Sequence, residues 1–220
     1  MPLSKAAKFY RGGGAIDTLT AHPPGCVELA RPLGVPLRVH PLGALGGLTA
    51  NWVLLAVAAR LAGGQADPVA LAAVALGAAA LLQLSALAHE YGHALAARAT
   101  GQRVDAVVFM HFGGYAWIDL EAAERASRGR AAAIVAAGPA VSLGLGLAFW
   151  AGVGLARAIG VEVGLVCAIA AGMNGLLLGL NMLPLGALDG GRLTGLVRRR
   201  LSGTPNRIRT GDLHLERVAS

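Results

Sequence analysis

The sequence predicts an all-α integral membrane protein, with about four transmembrane helices and a small membrane-proximal β-hairpin in a cytoplasmic loop. Three observations predict it. Of the 220 residues 55% are hydrophobic and only 14% charged, with a mean hydropathy of +0.59, whereas a soluble domain carries about 25% charged residues. Four apolar stretches, roughly 41–63, 68–98, 131–156 and 161–183, each reach the ~20 residues that cross about 30 Å of hydrocarbon. The basic residues gather on alternate sides of these stretches. The same apolar content excludes a disordered chain.

Residues 1–36 are polar and turn-rich, with Gly12-Gly13-Gly14 and Pro23-Pro24. They read as a flexible cytoplasmic extension, and they hold no continuous apolar core of the kind a signal peptide needs. The patterned sequence begins near Leu37 and defines a membrane-embedded unit over 37–201. His40-Pro41 starts the first apolar stretch, which ends in Gly63-Gly64. Asp67-Pro68 opens the second, an N-cap followed by proline at the first helical position.

Between the second and third stretches the pattern changes. Val104 to Met110 is β-prone, Phe112-Gly113-Gly114-Tyr115 offers a turn, and Ala116-Trp117-Ile118 is again extended. Glu121, Glu124, Arg125, Arg128 and Arg130 then form a solvated link. Gly138, Pro139, Ser142, Gly144 and Gly146 in the third stretch, and Gly172, Gly175 and Gly179 in the fourth, suit close helix packing. Pro184 stops the fourth stretch, and residues 202–220 read as a disordered polar tail.

Seventeen of the 19 Lys and Arg residues precede the first stretch, lie between the second and third, or follow the fourth. Only Arg60 and Arg157 lie in the other two connections. Both termini and the middle loop are therefore expected on the cytoplasmic side of a cell membrane. Topology also accounts for the net charge of +7. The basic residues are not interleaved with aromatics, so no nucleic acid is expected as a partner. Cys26 and Cys167 form no CxxC pair and imply no disulfide framework.

The chemistry lies in Ala88-His89-Glu90-Tyr91-Gly92-His93, inside the second stretch. Histidines at i and i+4 project from one helix face, close enough to bind one metal ion. Glu90 stands between them, placed to take a proton from water. Ionisable residues in a membrane helix cost at least about 2.5–3.5 kcal/mol each near its centre. Three within five positions need compensation, and a divalent cation supplies it. Two imidazoles and a carboxylate suit zinc.

Asp189 is the candidate for the carboxylate, just past the fourth stretch, where Pro184 and the glycines break the helix. The alternative is an Asp in a surface turn, since Asp-Gly is a common turn pair. Topology bears on the choice. At 1.5 Å per residue Tyr91 lies roughly 35 Å along the inward-running second helix. The fourth helix also runs inward and ends near Asn181. The two motifs arrive at the same membrane face, about 100 residues apart in sequence.

With these motifs the sequence resembles the site-2 protease family of intramembrane zinc metalloproteases. The resemblance rests on His89-Glu90-Tyr91-Gly92-His93, Asn181-x-x-Pro184-x-x-x-Leu188-Asp189-Gly190-Gly191, Phe112-Gly113-Gly114 and Ala137-Gly138-Pro139. Arg38-Val39-His40-Pro41 is similar to the branch containing the bacterial sporulation protease that processes a pro-sigma factor. The resemblance implies that His89, His93 and Asp189 bind one zinc ion per chain and that Glu90 is the general base. It implies that Asn181 supports substrate or the reaction intermediate, and that the 104–119 hairpin pairs with an extended substrate.

The expected function is a zinc metalloendopeptidase hydrolysing a peptide bond in or near a transmembrane segment of a membrane protein, with its active site towards the cytoplasm. The bilayer and that substrate are the expected partners; no motif names an oligomeric state. A metal-ion transporter or metal-binding membrane protein would use the same ligands, but needs no Glu between the histidines and usually shows repeat symmetry. A catalytically inactive membrane scaffold of the same fold would not need the intact ligand set.

Overall fold

The computed structural model describes residues 22–61, 67–110, 113–186 and 188–201. Four of its helices are long and apolar enough to span a membrane: α1 (Pro41–Leu61), α2 (Pro68–Ala99), α4 (Arg128–Ile159) and α5 (Val161–Asn181). Two shorter helices, α3 (Leu120–Ala126) and α6 (Asp189–Leu201), lie outside these spans. The predicted class holds, and the expected helix boundaries differ from the observed ones by three residues or fewer.

Local chemistry sets the ends. The Asp67 carboxylate accepts from the amides of Val69 and Ala70 at 3.0 and 2.9 Å, capping α2 with Pro68 at its first turn. At the other end Thr100 returns its hydroxyl to the carbonyls of Ala96 and Ala97, and Gly101 takes a left-handed turn. His40 Nδ1 accepts from the Gly43 amide at 2.9 Å and so opens α1. At about 48 Å, a 32-residue helix exceeds the roughly 30 Å apolar slab. Tyr91, Ala94 and Ala97 in the last turns of α2 form one wall of a buried core.

That core is completed by a sheet in the order β1 (Val27–Ala30), β2 (Leu37–Val39), β3 (Val104–Phe109), β4 (Gly114–Ile118). The outer pairs are antiparallel, and β2 runs parallel to β3 with Leu37 opposite Val107. Val35, Leu37, Val107, Phe109, Ala116 and Ile118 pack with Tyr91, Ala94 and Ala97 of α2 and Ile134 of α4. On the opposite face Ala106, Val108, Tyr115 and Trp117 form a second cluster, against which Cys26 packs.

The hairpin expected over 104–119 is present as β3 and β4, but as half of a larger sheet. This corrects the reading of 1–36 as a flexible extension. Residues 1–21 lie outside the described residues, but Val27–Ala30 is a strand. It is held by neighbouring chain: β1 pairs with β2, and Glu28 meets Arg31 at 2.6 Å and Arg38 at 3.4 Å. The solvated link expected over 121–130 is instead α3, capped by Asp119 through the Ala122 amide at 2.8 Å, followed by the start of α4. The tail 202–220 and the turn residues His111 and Phe112 lie outside the described residues.

On the membrane side, Leu45, Leu54, Leu147, Trp150 and Leu176 are exposed, as lipid-facing residues are. Small residues set the helix contacts. A Cβ at Gly92 would stand 2.9 Å from the Ala137 carbonyl oxygen, so only glycine lets α2 and α4 approach this closely.

Candidate metal centre

Helix α2 carries His89 and His93 one turn apart, and both are buried against α4. Their Nε2 atoms are 3.1 Å apart. Asp189, the first residue of α6, completes a triangle: its Oδ2 lies 3.2 Å from His89 Nε2 and 3.3 Å from His93 Nε2. The three residues expected as ligands therefore meet, and all three are buried.

The second ring nitrogens explain why the imidazoles face this point. His93 Nδ1 lies 2.8 Å from the Ile134 carbonyl oxygen. A carbonyl only accepts, so Nδ1 carries the proton and Nε2 turns a lone pair inward. His89 Nδ1 lies 2.9 Å from Ser142 Oγ. A carboxylate oxygen and two imidazole nitrogens converge on one small volume, as the ligands of a divalent cation do.

Gly138 on α4 tests the fit. A Cβ there would run into His93 Nε2 and stand 2.6 Å from His89 Nε2. The helix thus leaves room beside the nitrogens that a methyl group would fill. Two imidazoles and one carboxylate are a zinc donor set with a position left open. The site residues fit that ion.

α5 ends at Asn181, and Asp189 opens α6 eight residues later. A Cβ at Gly190 would collide with the Met182 carbonyl, and one at Gly191 with the Leu185 carbonyl. Glycine at both positions lets the loop lie directly on the first turn of α6.

Glu90 and Asn181 line the same cavity of about 190 Å³ as the triad, together with Arg192 and the residues of β4. Glu90 Oε2 accepts from the Ala116 amide at 2.9 Å. That amide points away from β3, so the outer edge of β4, unpaired with any strand among the described residues, faces the site. Asn181 returns Nδ2 to the Leu177 carbonyl at 3.1 Å.

Sequence reasoning missed three contributors. Ser142 and Gly138 read as packing residues, yet one touches His89 and the other makes room beside both rings. Their spacing of four, on a helix with a lone polar residue there, was the available signal. Arg192 counted only as a topological charge.

Residues 77–164 match the family described as Peptidase family M50. Two curated proteins from two strains of Mycobacterium tuberculosis, both named "Putative zinc metalloprotease Rip3", are each 36% identical over 198 residues, covering 82% of this chain and 49% of the relative. The chain therefore spans about half the length of the curated relatives it matches. No solved structure matches it. With its His-Glu-x-x-His helix inside the matched residues, its distant aspartate and its four apolar helices, the chain resembles peptidase family M50, the site-2 proteases.

Proposed function

We propose that this chain is an intramembrane zinc metalloendopeptidase that hydrolyses a peptide bond in or near a transmembrane segment of a membrane-protein substrate. The observation that carries this reading is the convergence of His89 Nε2, His93 Nε2 and Asp189 Oδ2 beside Glu90, at the end of a cavity open to the outer edge of β4. Those three atoms would hold one zinc ion per chain. When bound, zinc supplies Lewis acidity towards a carbonyl and a water molecule.

Glu90 is the general base. The Ala116 amide holds Oε2, and Oε1 takes a proton from the attacking water and passes it to the leaving amine. The substrate segment leaves its helix and adds along the outer edge of β4, where Gly114 and Ile118 direct their peptide groups outward as Ala116 does. The second Nδ2 hydrogen of Asn181 serves the carbonyl oxygen as it gains charge. Both termini and the site face the cytoplasm, following the Lys and Arg distribution. A metal transporter would use the same ligands; Glu90, anchored over the cavity by Ala116, favours the peptidase.

The test combines elemental analysis with cleavage. Detergent-purified protein should hold about one zinc per chain, and Asp189→Ala should lose it, as the closed ligand set requires. Glu90→Gln should keep zinc yet cleave no membrane-embedded substrate. Cleavage at the wild-type rate by Glu90→Gln would remove Glu90 from the mechanism. Zinc flux through proteoliposomes would favour the transporter.

A further inference from the structure

Arg192 lies one turn into α6, three residues after Asp189. Its Nη1 stands 3.8 Å from Asp189 Oδ1, while Oδ2 of the same carboxylate stands 3.2 and 3.3 Å from the two imidazole Nε2 atoms. The two oxygens face different partners. Most ion pairs at this helical spacing are solvated and contribute little. This one differs, because the Asp189 side chain is 6% exposed and that of Arg192 23%, so water screens the pair weakly. Arg192 also lines the cavity that holds His89, Glu90 and His93.

A carboxylate can bind a divalent ion through one oxygen or through both. Binding through both would fill the position that a hydrolytic zinc site keeps open. A guanidinium beside one oxygen opposes that. We infer that Arg192 is a positioning residue of the metal centre, holding Oδ1 of Asp189 outside the ligand set so that Oδ2 alone is offered. The inference rests on reading His89, His93 and Asp189 as zinc ligands.

The experiment uses the full chain in detergent, loaded with cobalt(II) in place of zinc, as wild type, Arg192→Gln and Arg192→Lys. Cobalt absorbs visible light strongly when four-coordinate and more weakly as its coordination number rises. Wild type and Arg192→Lys should give the intense spectrum, and Arg192→Gln should lose intensity while still binding one metal per chain. A wild-type spectrum in Arg192→Gln overturns the inference and leaves the centre intact. A weakened spectrum in Arg192→Lys also overturns it, because the charge would then not be the cause. Wild-type protein that takes up neither zinc nor cobalt overturns the proposed function, and this inference with it.

Discussion

At Gly138 a single hydrogen separates an open site from a blocked one. A methyl group there would press on both Nε2 atoms, so Gly138→Ala should lower zinc content sharply while far-ultraviolet circular dichroism keeps its helical signal. Ser142→Ala acts from the other side of the ring, releasing His89 Nδ1. Orienting partners of this kind contribute about 10–100-fold in metal affinity, and competition against a chelator should read a weakening of that order. Neither residue was legible as part of the site. His89, Glu90 and His93 announce themselves because helical spacing alone brings them together. Asp189 became legible only through topology. Gly138 and Ser142 depend on the rotation of α4 about its axis, for which Ser142 is the lone polar cue within the apolar span.

At the level of elements, the helices were legible and the sheet was only half so. An apolar run long enough to cross the bilayer specifies a helix by itself. A hairpin is local and could be read from its turn, but the parallel pairing of β2 with β3 joins segments about 70 residues apart, and no local pattern carries such a contact. Helix α6 escaped notice because it is short and basic after a proline-broken helix. Strand β4 carries the functional weight of the sheet. Its Ala116 amide points away from β3 towards Glu90, so Ala116→Pro removes that donor and leaves the ladder intact. A hydrogen bond to a charged group contributes about 1.5–3 kcal/mol, so kcat/KM should fall roughly 10- to 100-fold at unchanged zinc content.

For the whole molecule, the arrangement of α1, α2, α4 and α5 puts the sheet, the cavity and α6 at one end of the bundle. The proposed orientation is checked with single cysteines after Cys26 and Cys167 are replaced. An impermeant thiol reagent should label Gly160→Cys, between α4 and α5, on intact cells, and Ser127→Cys, between α3 and α4, only after the membrane is opened. Order of synthesis adds a consequence. Asp189 follows His89 by 100 residues and begins the last described helix. At about 5–20 residues per second, the ribosome needs roughly 5–20 s to add the carboxylate after it has added the first imidazole. Throughout that interval the nascent chain holds the paired histidines without Asp189, and the three-residue site is incomplete.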